Sequence, residues 1–147
     1  MIYCFTITVE VGPAIEIGAT ARGRRMVIPI LGGSVEGPRF SGHVLPAGAD
    51  YQLLRADGVM EVDARYCVES SAGRRLYVEN KGIRVATPDD TERLLQGEPV
   101  DPSRVYFTTN PTFETSAPEL EWMTRRLFIA SGEREPDIVR LRVFEVA

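Results

Sequence analysis

Asp50, Tyr51 and Gln52 stand side by side just after a glycine-containing turn, an acid, a phenol and an amide in three positions. Glu36 and Arg39 flank Gly37-Pro38, Asp63 and Arg65 lie two apart, and Tyr77, Asn80 and Arg84 follow. Tyr106, Phe113, Glu114 and Trp122 fall in the last third of the chain. Gathered in a cavity, such rings shape an organic ligand, expected here to be neutral. The carboxylates, amides and guanidiniums polarise a carbonyl or shift a proton. Each residue singly also has an ordinary structural role open to it, since tyrosine and tryptophan often pack in cores with one polar tip satisfied.

Other chemistries are poorly served. His43 is the sole histidine, which removes His-rich zinc and iron sites and most Ser-His or Cys-His nucleophiles. Leu31-Gly32-Gly33 and Gly12-Pro13 do not make a phosphate-cradling loop that opens a helix, and no loop has calcium-ligand spacing. No metal and no cofactor are therefore expected. The net charge of −4 and the scatter of the doublets Arg24-Arg25, Arg74-Arg75 and Arg125-Arg126 among acids argue against nucleic acid as a partner. Lys81 is the single lysine, so cation recognition rests on arginine, which grips carboxylates in a two-pronged geometry. No apolar run approaches the roughly 20 residues that span a bilayer, and the first residues alternate like a strand rather than an export signal. Cys4 and Cys67 match no metal or redox spacing and are expected as reduced thiols. A cytoplasmic location, without a membrane partner, is expected.

Strands must position these residues. Residues 2–10, 25–31, 34–45, 49–56, 59–70, 74–80, 104–109, 123–130 and 138–146 are β-branched, aromatic or alternating. Asp57-Gly58, Ser71-Ala72-Gly73 and Gly132 with Pro136-Asp137 supply reversals between them. Strands this short and this regularly spaced predict one domain over 1–147, mostly β: a closed antiparallel barrel of the lipocalin or calycin type. One helix is predicted near residues 88–96, with Thr87 as cap, Pro88 in the first turn, Asp89 and Asp90 at the positive end, and Gly97 as the stop. Strand 59–70 has an apolar even face, Met60, Val62, Ala64, Tyr66 and Val68, and a charged odd face carrying Asp63 and Arg65. Either the apolar face fills the interior, or the charged face lines a lumen while a partner subunit covers the other.

With these residues laid out, the chain resembles the DUF3237 family. The likeness is carried by VEVGPAIEIG, GRRMVIPILGGSVEGPRFSGHVLPAGADYQ, VDARY, LYVENKGIR, GEPVDPSRVYFTTNPTFET and a closing W-x-x-x-R-x-F-I-A-x-G. Departures fall at Tyr51, where the pattern has tryptophan, at Met123-Thr124, and at Cys67, where threonine is common. They point to a specialised cavity lining. The resemblance implies a barrel that self-associates as a homodimer or higher homo-oligomer. Two functions compete. The first is a cofactor-independent cyclase, isomerase or lyase acting on a hydrophobic small molecule, in which holding a flexible substrate in its reactive fold lowers the barrier by up to about 7–11 kcal/mol. Intramolecular ring closure in natural-product biosynthesis is the example in view. The second is a non-catalytic carrier or sensor of an apolar ligand. Under the first, Asp50, Arg65 and Glu114 are the expected catalytic groups, and Tyr51, Gln52, Met60, Tyr66, Tyr77, Phe113, Trp122 and Met123 the expected substrate contacts. A purely structural role would instead leave the lumen filled, with no cavity of roughly 300 Å³.

Overall fold

The computed structural model describes all 147 residues. Strands β1 (Ile2–Val11), β2 (Ile15–Thr20), β3 (Gly23–Glu36), β4 (Gly42–Leu54), β5 (Met60–Ser70) and β6 (Arg75–Val85) lead to helix α1 (Pro88–Leu95). Then come β7 (Tyr106–Glu114), β8 (Phe128–Arg134) and β9 (Ile138–Glu145). The sheet runs β1-β9-β8-β7-β6-β5-β4-β3-β2, and a further antiparallel pairing of β1 with β3 closes it. Eight strands make the barrel; β2 is the ninth, outside the closed ring. Every unpaired barrel edge is thereby removed, as expected from the alternating sequence.

Closure depends on one bend. Residues 6–11 of β1 pair with residues 30–36 of β3, and β2 continues the ladder along β3 from Val27 to Gly23. Between them Gly12-Pro13 breaks the run, and the Gly12 N–H holds the corner by donating to the Pro29 carbonyl at 3.0 Å. β1 meanwhile also pairs with β9, so the chain leaves the wall where β2 begins. The exposed Ile15 and Ile17 lie on that departing segment.

Helix α1 forms for the reasons read in its sequence. Thr87 Oγ1 accepts from the Asp90 N–H at 3.2 Å, and Gly97 past its end takes φ +77°. Asp90 is fully buried and paired with Arg93 and Arg104, at 2.7 and 2.8 Å, which supply the charge its burial demands. A bonded chain of Glu16, Arg24 and Glu92 ties the helix to β2 and β3.

Some boundaries differ from those expected. The predicted strand 34–45 is broken, because the chain turns at residues 37–41: proline cannot donate to a ladder, and a Cβ on Gly37 would lie 2.4 Å from the Phe5 Cα. The predicted strand 123–130 begins late, because Pro118–Thr124 forms a 3₁₀ turn whose Leu120 and Met123 face the core. β2 was not foreseen: Ile15, Glu16 and Ile17 are all exposed, so burial imprints no alternation on it. The predicted 74–80 and 104–109 extend to Val85 and Glu114.

Candidate functional site

The interior divides into two unlike halves. Around one end Phe5, Ile7, Val35, Phe40, Val68, Leu76, Val78 and Phe113 fill the lumen and leave no void. Phe113 and Phe128 meet edge to face at 5.2 Å, and Trp122 joins them at 6.0 Å, capped by Arg39 4.0 Å above its ring. At the other end the inward positions change character. Val9, Val11, Ile28, Ile30, Phe107 and Leu141 still supply apolar wall, but Asp50, Gln52, Tyr66, Asn80, Thr109 and Arg134 converge between them on a cavity of about 30 Å³.

The parity of the strands puts them there. On β5 the even residues Met60, Val62, Tyr66 and Val68 are buried, and Asp63 and Arg65 lie outside, bridged at 3.2 Å. Of the two readings of this strand, the apolar-in one is correct. On β6 the same alternation carries Leu76 and Val78 inward, and with them Asn80 and Arg84; on β8 it carries Phe128, Ala130 and then Arg134. β4 keeps its inward parity across an irregularity, with Val44, Asp50 and Gln52 all on the inner face. Its ladder with β5 is interrupted between Val44 and Gly48, where a bulge inserts residues that have no partner. Gly48 takes φ +102°, and a Cβ there would sit 2.1 Å from the Arg65 carbonyl oxygen, so glycine is required. Beyond it Asp50 and Gln52 point inward.

Asp50 is the centre of the constellation. The β4–β5 pairing skips Tyr51 and Gln52, and the Asp50 carboxylate occupies the gap: Oδ1 accepts from the Asp63 N–H and Oδ2 from Gln52 Nε2, both at 2.9 Å. The residue keeps some accessible surface, yet its carboxyl is enclosed by protein, and enclosure governs its proton affinity. Burial pushes the carboxyl above the usual range, outweighing those two hydrogen bonds and the nearby Arg84 charge. Burial likewise raises the Tyr66 phenol, with Asp50 adding to the effect. Arg84 is pushed down to about 10, first by burial and then by the positive Arg134, against the pull of Asp50. Burial lowers Arg134 too, opposed by Asp50 and Asp137.

The polar atoms here are conspicuously unmatched. Gln52 Oε1, Tyr66 Oη, Asn80 Oδ1, Arg84 Nε, Thr109 Oγ1 and Arg134 Nη1 are all buried without a hydrogen-bond partner. An unpaired buried polar group costs about 1–3 kcal/mol, so the five lining the lumen favour a partner brought in by water or ligand. The cavity has room for one or two waters, not for a whole organic molecule. Beside it, where β2 leaves the wall, a groove of about 310 Å³ runs past Gly12, Ala14, Leu95, Gly97 and Asp137. Val11 and Arg134 line both spaces, so Arg134 stands between groove and lumen.

The expected site residues are thus only partly assembled. Asp50, Gln52 and Tyr66 line the cavity. Met60 is buried among the inward residues of β5, while Phe113, Trp122 and Met123 belong to the solid end. Arg65, Tyr77 and Glu114 do not join Asp50: Arg65 and Glu114 are exposed, Tyr77 pairs with Cys67 and Glu114, and all three lie on the outer wall, where strand alternation sends them. Tyr51, next to Asp50, is 42% exposed for the same reason. Thr109 and Arg134 escaped the sequence reading altogether. A charged residue at inward parity, two positions beyond Gly132 on the face that carries Phe128, Ala130 and Gly132, is the signal that marks Arg134. His43 faces outward, its Nε2 3.8 Å from Glu69, and both cysteines are free thiols. No group of three or more His, Cys, Asp or Glu side chains is placed to hold a metal ion.

A closed β-barrel with a solid aromatic end and a polar, half-filled lumen is the class of protein this geometry defines. The chain belongs to the DUF3237 family, proteins of unknown function, whose model matches residues 1–146. A UPF0311 protein of Rhodopseudomonas palustris strain TIE-1 is 44% identical over 144 residues, 98% of this chain and 94% of that protein. The crystal structure of a conserved protein of unknown function from Rhodopseudomonas palustris superposes with a TM-score of 0.92 at 42% identity, covering 99% and 95% of the two chains. An enzyme from Penicillium herquei shares the fold with a TM-score of 0.69, at 19% identity over 97% and 92% of the chains.

Proposed function

We propose that the protein is a cofactor-independent enzyme that rearranges a small, largely hydrophobic organic molecule by moving a proton, as a cyclase, isomerase or lyase does. The observation that carries this reading is the Asp50 carboxyl, enclosed and reluctant to ionise, ringed by buried polar atoms that have no partner within the protein. A carboxyl of raised proton affinity suits general acid–base work, because it holds a proton more strongly than an ordinary carboxylate and can still return it. The body of the ligand lies along the groove beside α1, where Val11, Ala14 and Leu95 offer apolar contact among Gln96 and Asp137, and its reacting polar end reaches past Arg134 into the lumen.

In the simplest cycle Asp50 accepts a proton from one atom of the ligand while Tyr66 and the guanidiniums of Arg84 and Arg134 stabilise the oxygen on which charge develops. The same proton is then delivered to another atom, so the protein ends unchanged and no electrons are exchanged. A barrel neighbour described as an enzyme lends support at the level of fold. A carrier has no use for a proton-transferring carboxyl.

The test is native mass spectrometry of freshly purified protein mixed with an extract of its own cells, followed by NMR of the captured molecule in D₂O with wild type and with Asp50→Asn. Expected is a rearranged product, formed by wild type and at least about 100-fold more slowly by the variant. A captured molecule returned unaltered by wild type would overturn the enzymatic reading in favour of a carrier.

A further inference from the structure

The ledger of charge inside the lumen names the ligand more closely. Two charged side chains line it, Asp50 on β4 and Arg134 at the end of β8, and a third, Arg84 on β6, is buried behind the lining with its guanidinium 5.7 Å from the Phe107 ring. Asp50 is held by neutral donors, the Gln52 amide and the Asp63 N–H, and not by either arginine. Neither Arg84 nor Arg134 makes a salt bridge within 4.0 Å, while Arg93 and Arg104 both pair with the fully buried Asp90. Arg84 is only 3% exposed, with its Nε unpartnered; Arg134 presents Nη1, also buried and unpartnered. With Asp50 counted as its carboxylate, the two guanidiniums leave one unit of positive charge without an ion-pair partner in a largely enclosed space. A buried charge without a partner is among the costliest features a fold can retain. The one acidic group at the rim, Asp137, is exposed and lines only the outer groove.

We propose that the lumen is built for an organic monoanion, whose acid head, a carboxylate or an acidic enol or phenol, seats between Arg84 and Arg134 beside Asp50. This rests on the small-molecule reading above and replaces the neutral ligand expected from sequence. One negative charge brings the lumen to neutrality. Its oxygens accept from Arg84 Nε and Arg134 Nη1, the two donors that lack acceptors. The size agrees: a head of a few heavy atoms displaces the one or two waters that the cavity can hold, and an apolar ring or chain follows in the groove. The Phe107 ring, 5.7 Å from the Arg84 guanidinium, closes the far wall.

The experiment compares 2-naphthoate with its uncharged amide, 2-naphthamide, and with 2-naphthylmethylammonium. Binding is followed by NMR through the Nε–H signals of the buried arginines and by titration calorimetry. The expected result is that naphthoate binds at least tenfold more tightly than the amide, shifts the Arg84 and Arg134 signals, and leaves the cation without measurable binding. Arg134→Gln, at the rim where folding is little affected, removes roughly tenfold of the acid's affinity and none of the amide's. Arg84→Gln, checked for folding by circular dichroism, does the same. Equal binding of acid and amide, unchanged by Arg134→Gln, would refute the anion while leaving the small-molecule site standing. If none of the three moves a lumenal signal at millimolar concentration, both the site and its charge preference fail.

Discussion

The two ends of this barrel are made by the same strands under the same alternation, yet they have been put to opposite uses. At the solid end, inward positions hold Phe5, Phe40, Phe113 and Leu76, which interlock without a void. At the polar end, positions of the same parity on those strands or their neighbours hold Asn80, Arg84, Asp50 and Arg134, with six buried polar atoms unmatched. The first arrangement stabilises; the second costs stability, and it persists only where the first is sufficient to offset it. Destabilised, unsatisfied groups concentrated at one end of a fold mark the place where binding supplies what folding did not.

Phe113→Ala gives the largest expected effect. Removing a fully packed ring that contacts Phe5 and Phe128 edge to face should lower stability by about 3–5 kcal/mol. Urea unfolding measures this, and naphthoate affinity in the folded fraction should stay at the wild-type value. A loss of binding without loss of stability would mean that the solid end is part of the site after all.

Gly48→Ala is next, and it acts on the device that joins the halves. A methyl group 2.1 Å from the Arg65 carbonyl oxygen, on a residue at φ +102°, forces the bulge to shift. The expected cost is about 2 kcal/mol or somewhat more, together with weakened acid binding because Asp50 and Gln52 no longer point squarely inward. Calorimetry and urea titration on one preparation separate the two effects. Unchanged affinity would show that the bulge serves the wall and not the site.

Asp50→Asn has the opposite sign in stability. Because burial raises the folded-state pKa of Asp50, its contribution to stability is fully present below the unfolded value of about 4 and is lost as pH rises through the folded value. The variant has no such loss. It should match wild type near pH 4 and exceed it by a margin that widens as pH rises. Gln52 Oε1, now without a partner, can turn to accept from the new amide. Urea titrations at several values between pH 4 and 8 check the trend; a variant that becomes progressively less stable than wild type with rising pH would show the carboxylate to be well compensated.

Much of this was legible in the chain itself. The even face of β5, the Thr87 cap with Pro88 behind it, Gly97 as stop and the Asp57-Gly58 turn are each local, so sequence carries them. The site was harder. Asp50, Gln52 and Tyr66 could be read as candidates, but sorting Asp50 from Arg65 and Glu114 requires the phase of three strands, and the irregularity before Gly48 interrupts the alternation of one of them. Arg84 and Arg134 share inward parity with Leu76 and Phe128, a clue that charge alone argues against, because arginine is so rarely buried unpaired. Pro118–Thr124 misled because its apolar residues face the core from a turn, where burial has no period of two.

The smallest expected effect is the sharpest check on the division between inside and outside. Arg65 and Glu114 lie on the outer wall with Tyr77, Arg65 bridging only to Asp63 at 3.2 Å in the open. Exposed pairs of this kind contribute little to stability, because water screens them and two long side chains must be ordered to form them. Arg65→Ala and Glu114→Gln should therefore leave the urea midpoint, the naphthoate affinity and the rate of rearrangement within error of wild type, singly and together. The contrast with Arg134→Gln carries the weight: both substitutions remove one guanidinium charge from the same small barrel, so any general effect of net charge on an anionic ligand would weaken both alike. A drop confined to Arg134→Gln assigns the effect to a charge placed inside a water-excluded lumen. A drop confined to Arg65→Ala would move the site to the outer wall of β4 and β5, where Tyr51, Asp63 and Arg65 border a shallow hollow of about 400 Å³.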